Sequence, residues 1–255
     1  MAILLKAQNI SKTYTLGKGN THQVLKNVSL EIEKGEFVSI MGPSGSGKST
    51  LLYNISGMDR VTEGSVYFAG DNIESLSEKE LADLRLRKMG FVFQQSNLLK
   101  NLSIFDNIIV AAYLDGREKR SDINARAENL MEQININYLK DNDITQASGG
   151  ELQRVAICRA LINEPEIIFG DEPTGALNSS SANEIMDIFG DINQKGGTIL
   201  LVTHDSRVAA RSDRVLFMMD GQIKGEYLLG KYSPIESDWK KRETELTAWL
   251  SKMGF

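Results

Sequence analysis

The chain has 255 residues, 41% of them apolar and 25% charged, a globular balance that allows one large domain or a domain with an elaboration. A net charge of -5 speaks against a nucleic-acid surface, whose footprint is a basic excess. Cys158 is the only cysteine, which excludes an intramolecular disulfide and suits a reducing compartment.

Met1–Leu5 is followed at once by Lys6, Gln8 and Asn9, so no secretory signal is expected. Val38-Ser39-Ile40-Met41 reads as a short buried strand running into a glycine loop, with Thr50–Ile55 as the helix beyond it. Val66 and Phe68 alternate with polar neighbours before Gly70-Asp71, a hairpin signal. Ser77 with Glu80 is a capping box that opens a helix carrying Leu81 and Leu84. From about 95 to 162 the texture is helical, with Ile123, Ala127, Leu130, Met131 and Ile134 at 3.6-residue spacing. Ile167-Ile168-Phe169 is then an apolar strand that ends in Gly170-Asp171-Glu172. Ile185, Ile188, Phe189 and Ile192 mark an amphipathic helix closed by Gly196-Gly197, and the strand Ile199–Val202 ends at Thr203-His204-Asp205. Val215–Met219 and Gln222-Ile223 close as a hairpin around Asp220-Gly221. Strands alternating with helices predict an α/β protein with a mainly parallel sheet covered on both faces. The apolar runs fall far short of the ~20 residues that span a bilayer. The chain is therefore expected to be soluble, without direct membrane insertion, and any spanning segment belongs to a partner.

The chemistry begins at Gly42-Pro43-Ser44-Gly45-Ser46-Gly47-Lys48-Ser49, which matches G-x-x-x-x-G-K-[ST]. Glycines let the backbone wrap phosphate oxygens with inward N–H groups, and the helix that follows adds its positive end. Lys48 would bridge the β- and γ-phosphates and the Ser49 hydroxyl would ligate Mg²⁺; Ser44, Gly45, Ser46 and Thr50 complete the phosphate-binding set. Asp171 and Glu172 leave a buried strand at the edge where open α/β sheets bind ligands. Asp171 suits the metal shell, and Glu172 is placed to polarise an attacking water.

Ser148-Gly149-Gly150-Glu151, followed by Gln153-Arg154, decides the class. With the phosphate loop and Asp171-Glu172 it resembles the nucleotide-binding subunits of ABC transporters, whose Leu-Ser-Gly-Gly-Gln signature lies between those two motifs. The resemblance runs from residue 3 to about 225. It implies a P-loop NTPase core with a small antiparallel β subdomain and an inserted α-helical subdomain. An ATPase domain is expected over 1–230, with the helical part near 95–162, and a tail over 231–255. It implies ATP and Mg²⁺ as cofactors and a head-to-tail homodimer, each ATP held between one copy's P-loop and the other's Ser148, Gly149, Gly150 and Glu151. Gln94 matches the glutamine that touches Mg²⁺ and the nucleophilic water, His204 the histidine that holds the γ-phosphate, and Tyr14 the aromatic that stacks on adenine. An edge-strand tyrosine is the alternative for Tyr14.

Three positions depart from the pattern. Ala147 replaces leucine, Glu151 replaces glutamine and adds charge near phosphates, and Asn178 stands where aspartate is usual. Phe37–Thr50, Gln94–Leu99 and Asp171–Leu177 resemble the branch serving macrolide-export, lipoprotein-release and bacitracin-type peptide-resistance permeases. The resemblance thus implies an ATPase at the cytoplasmic face of the membrane, held there by a separate permease, with peptide resistance as the first choice. A regulatory or cluster-assembly ABC ATPase would share the same core. Beyond that core, Leu246, Trp249, Leu250 and Met253 fall on one helical face that fits a permease, a second copy or the chain's own domain.

Overall fold

A computed structural model describes residues 2–17, 19–232 and 239–255. Residues 233–238, which belong to the expected tail, lie outside the described residues, as do Met1 and Lys18. In chain order the elements are β1 (Ile3–Leu16), β2 (Asn20–Glu33), β3 (Phe37–Met41), α1 (Lys48–Ile55), β4 (Glu63–Phe68) and β5 (Asp71–Asn72). Next come α2 (Glu78–Lys88), β6 (Met89–Phe93), α3 (Ile104–Asp115), α4 (Arg120–Gln133), α5 (Gly149–Leu161), β7 (Ile167–Asp171) and α6 (Ser179–Gln194). The chain closes with β8 (Thr198–Val202), α7 (Ser206–Ala209), β9 (Arg214–Met219), β10 (Gln222–Leu228) and α8 (Trp239–Lys252).

The central sheet has the order β10-β9-β3-β8-β7-β6, with β10 antiparallel to β9 and every other pairing parallel. Strands β3, β7 and β8 are short apolar runs, as sheets covered on both faces demand. A second, antiparallel sheet of order β2-β1-β4-β5 packs over the first. The layer between them buries Leu5, Ile10, Ile32, Val38, Ile40 and Leu51. On the opposite face Ile185, Met186 and Phe189 of α6 pack on Phe37, Ile168 and Ile199.

Helices α3, α4 and α5 enclose a separate core around Ile104, Ile108, Met131 and Val155. Because α5 also sends Ile157 and Ala160 into the sheet layer, that helix ties the helical cluster to the nucleotide side of the fold. Cys158 is fully buried in the helical core, and burial pushes its thiol far above the ordinary range. We expect the native chain to resist thiol alkylation at least about a thousandfold better than the denatured chain; rapid labelling in buffer would show that α5 is not packed as described.

The last helix docks on its own domain. Leu246 and Leu250 are buried against Met41, Val215 and Phe217, while Trp249 and Met253 cover the same cluster. Arg242 fastens it through four main-chain carbonyls: Ala210 at 2.8 Å, Ser212 at 2.8 Å, Leu229 at 2.9 Å and Gly230 at 3.0 Å. No helix among the described residues is long and apolar enough to cross a membrane.

Candidate functional site: a phosphate-binding cavity at the sheet's carboxyl edge

Parallel order places the ends of β3, β7 and β8 at one edge, and the chain uses all three. From β3 the backbone enters the glycine loop. Gly42, Gly45 and Gly47 take φ of 153°, 79° and 99°, a region that costs glycine nothing and other residues strain. At Gly42 space is also decisive, since a Cβ there would stand 2.0 Å from the Met218 carbonyl oxygen on neighbouring β9. Gly47 is the N-cap of α1, so the free N–H groups of that helix open into the loop.

A cavity of about 770 Å³ results, within the ~300–1,000 Å³ usual for small-molecule sites. The phosphate loop lines it with Gly42, Pro43, Ser44, Gly45 and Gly47, continuing into Lys48, Ser49 and Thr50, and Glu172 and His204 face that loop. Lys48 is buried, and its ammonium donates to the carbonyls of Gly42 and Pro43, both at 2.9 Å. Burial holds that ammonium below its ordinary value, against the opposing pull of the Glu172 and Asp171 charges. Ser46 Oγ, also buried within the loop, has no partner among the described residues. A buried hydroxyl without a bond is costly, but Ser46 is not among the residues lining the cavity, so the loop and not a bound phosphate surrounds that side chain.

Asp171 ends β7 beside α1. Its Oδ1 accepts from Ser49 Oγ at 2.8 Å and its Oδ2 from the Tyr53 hydroxyl at 2.7 Å. Burial, with Asp171 second, pushes the Tyr53 phenol up to about 12, so it stays a donor. Glu172 follows with φ of 51°, left-handed for a residue with a side chain, while its N–H extends the sheet ladder to the Val202 carbonyl at 2.9 Å. Such backbone strain gathers at active sites. Here it turns the Glu172 carboxylate toward His204, whose Nδ1 lies 2.8 Å from Oε2.

The remaining sequence-derived residues lie elsewhere. Gln94 follows β6 with its amide against Gly175 and lines a separate groove with Gly149, Gln153 and Leu177. Ser148 is the N-cap of α5 and forms a capping box with Glu151: the Ser148 N–H donates to the carboxylate at 2.7 Å. Tyr138 also donates its hydroxyl to Glu151. The Ser148 side chain, then Tyr138, hold that carboxylate down at about 2, so the substituted residue is ionised. Tyr14 sits where β1 pairs with β2 alone; its hydroxyl donates to Asp59 at 2.7 Å and its ring carries the Lys12 ammonium at 4.8 Å. Thus Tyr14 is not among the residues lining the cavity, whereas His22, its cross-strand partner, is, together with Val24. Phe255, packed on Phe217 with centroids 5.8 Å apart, reaches the same rim. His22 could have been read from its pairing with Tyr14, and Tyr53 from its four-residue spacing after Ser49. No local signal pointed to Phe255.

A glycine loop at a helix start, a carboxylate pair at the next strand and a histidine at the third define a P-loop nucleotide-binding site. Residues 25–175 match the ABC transporter family, to which the chain belongs. The lipoprotein-releasing system ATP-binding protein LolD of Aquifex aeolicus is 44% identical over 226 residues, which cover 89% of this chain and 98% of that protein. The bacitracin export ATP-binding protein BceA of Halalkalibacterium halodurans is 42% identical over 221 residues, covering 86% and 87%. Among solved structures, a dimeric post-hydrolysis state of the ATP-binding cassette MJ0796 bound to ADP and phosphate superposes with a TM-score of 0.83. That cassette is 39% identical, and the match covers 90% of this chain and all of the other. The fold is an ABC ATPase cassette, and the chain falls in the lipoprotein-release and peptide-resistance branch its motifs resemble.

Proposed function

We propose that the chain is the ATP-hydrolysing subunit of a bacterial ABC transporter, working as a head-to-tail homodimer that drives a separate membrane permease from the cytoplasmic face. The carrying observation is the division of the motifs. The phosphate loop, Glu172 and His204 share one cavity, while Ser148 and the start of α5 line no part of it. A second copy turned end to end would supply Ser148, Gly149 and Gly150 to the outer side of the bound nucleotide.

In this reading Lys48 and the loop amides neutralise the β- and γ-phosphates, and the α1 N-terminus adds its dipole. His22, which lines the cavity where Tyr14 does not, packs the base. Ser49 Oγ and Asp171 Oδ1 are hard oxygen donors that fit Mg²⁺, with Gln94 brought in as the copies close. Bound there, the metal would offset charge on the leaving phosphate oxygens. Glu172 takes a proton from the attacking water, and His204 keeps that carboxylate oriented and contacts the γ-phosphate. The relatives' printed roles favour a permease for antimicrobial peptides or lipoproteins.

Ser148→Arg separates the composite site from a self-contained one. In a hydrolysis-deficient background it should abolish the ATP-driven dimer in size exclusion, yet leave ATP affinity of the single chain within about twofold, since Ser148 lies outside the cavity. An unchanged dimer would refute the head-to-tail reading. Recovery of a membrane protein with the chain from solubilised membranes tests the permease; none recovered would favour a free-standing ATPase.

A further inference from the structure

Tyr53 belongs to no phosphate-binding motif, yet its hydroxyl ends on the carboxylate at the heart of the site. Ser49 and Tyr53 are four residues apart on α1, a spacing that raises both side chains from one helix face. That face meets the end of β7. Ser49 Oγ takes Asp171 Oδ1 at 2.8 Å, and the Tyr53 hydroxyl takes Oδ2 at 2.7 Å. An aspartate carboxylate turns easily about its last torsion, whose wells are broad. Two donors from one helix, one to each oxygen, remove that freedom.

Tyr53 is itself held. Its ring packs on the core between the two sheets. Its carbonyl accepts from the N–H groups of Met58 at 2.9 Å and Asp59 at 3.0 Å as α1 ends. The phenol therefore stands on a fixed base. Among the described residues it is the only partner of Oδ2, so the bond it makes is not one of several equivalents.

We propose that Tyr53 is a positioning residue for the divalent metal: it occupies Asp171 Oδ2 and so presents Oδ1, beside Ser49, to the ion. This rests on the reading that Ser49 and Asp171 hold Mg²⁺. Metal binding engages the Ser49 side of the carboxylate, and the Tyr53 bond, on the other oxygen, does not compete with it. Partners of this kind, which orient a ligand without touching the metal, commonly change metal affinity or activity by ~10–100-fold when removed.

The test compares ATP affinity in Mg²⁺ with ATP affinity in EDTA for the wild type, Tyr53→Phe and Asp171→Asn. A Mn²⁺ titration of the nucleotide complex, followed by electron paramagnetic resonance, runs in parallel. Tyr53→Phe removes one oxygen and keeps the ring's packing. Its affinity in EDTA should stay within about twofold of wild type, while the gain on adding metal and the Mn²⁺ affinity fall by about tenfold. An undiminished gain overturns the proposal. So does an equal loss in EDTA and in Mg²⁺, which would mark a structural role. If wild type gains nothing from the metal, or Asp171→Asn gains as much as wild type, the assignment of Mg²⁺ to Ser49 and Asp171 fails, and the role of Tyr53 with it.

Discussion

Glu172→Gln should lower steady-state ATP hydrolysis by about 10²–10³-fold while leaving ATP affinity within about threefold, because it removes the base and its charge while keeping the shape of the side chain. The side chains match in shape, and Gln keeps an oxygen that can accept from His204 Nδ1, now 2.8 Å away. The left-handed backbone at 172 remains, because it is fixed by the ladder bond to Val202 and not by the side chain. What disappears is the anion that can take a proton from water at neutral pH. Removing it also reduces the negative charge facing the γ-phosphate, so the ATP-bound dimer should persist where the wild type cycles through it. Single-turnover hydrolysis and size exclusion with ATP measure the two halves. Turnover within tenfold of wild type would remove Glu172 as the base and direct attention to His204, which is more exposed at 66% against 19% for Glu172.

The site was legible where local chemistry specifies it. Glycine spacing announces the loop at Gly42–Ser49, and an apolar run ending in acid announces Asp171 and Glu172, since both are properties of a short window. The capping box at Ser77–Glu80 was readable for the same reason, being a three-residue exchange of side chain for backbone. Illegible were contacts joining distant segments. The Asp59 carboxylate that takes the Tyr14 hydroxyl comes from 45 residues away, and it turns a side chain expected on the base toward the end of α1. Nothing in the window around Trp239–Lys252 says that its apolar face meets Met41 and Phe217 of this domain rather than a permease. Glu151 shows the limit from the other side. Sequence reads its charge as an intrusion near phosphate, whereas the fold surrounds the carboxylate with the Ser148 N–H and the Tyr138 hydroxyl. The charge is therefore directed, at least in the single chain, to closing the first turn of α5.

Lys48→Met should raise the dissociation constant for ATP by at least about a hundredfold and leave the fold nearly intact. The Lys48 ammonium is the buried cation lining the cavity, and it faces Asp171 and Glu172 as well as the incoming phosphates. Without it the triphosphate meets two carboxylates across a half-buried space, where charges interact more strongly than in water. Charge-assisted hydrogen bonds contribute about 1.5–3 kcal/mol each, so losing contacts to two phosphate oxygens costs roughly 3 kcal/mol or more. At about 1.4 kcal/mol per factor of ten, that is the stated hundredfold. The fold is spared because the bonds lost, to the carbonyls of Gly42 and Pro43, lie on the cavity wall, where water can replace the ammonium. Methionine also keeps an unbranched stem of similar length at that position. Calorimetric titration with ATP and a thermal melt decide the matter together. A large drop in melting temperature would make the ammonium a strut of the loop, whereas unchanged affinity would leave phosphate capture to the loop amides and the α1 terminus alone.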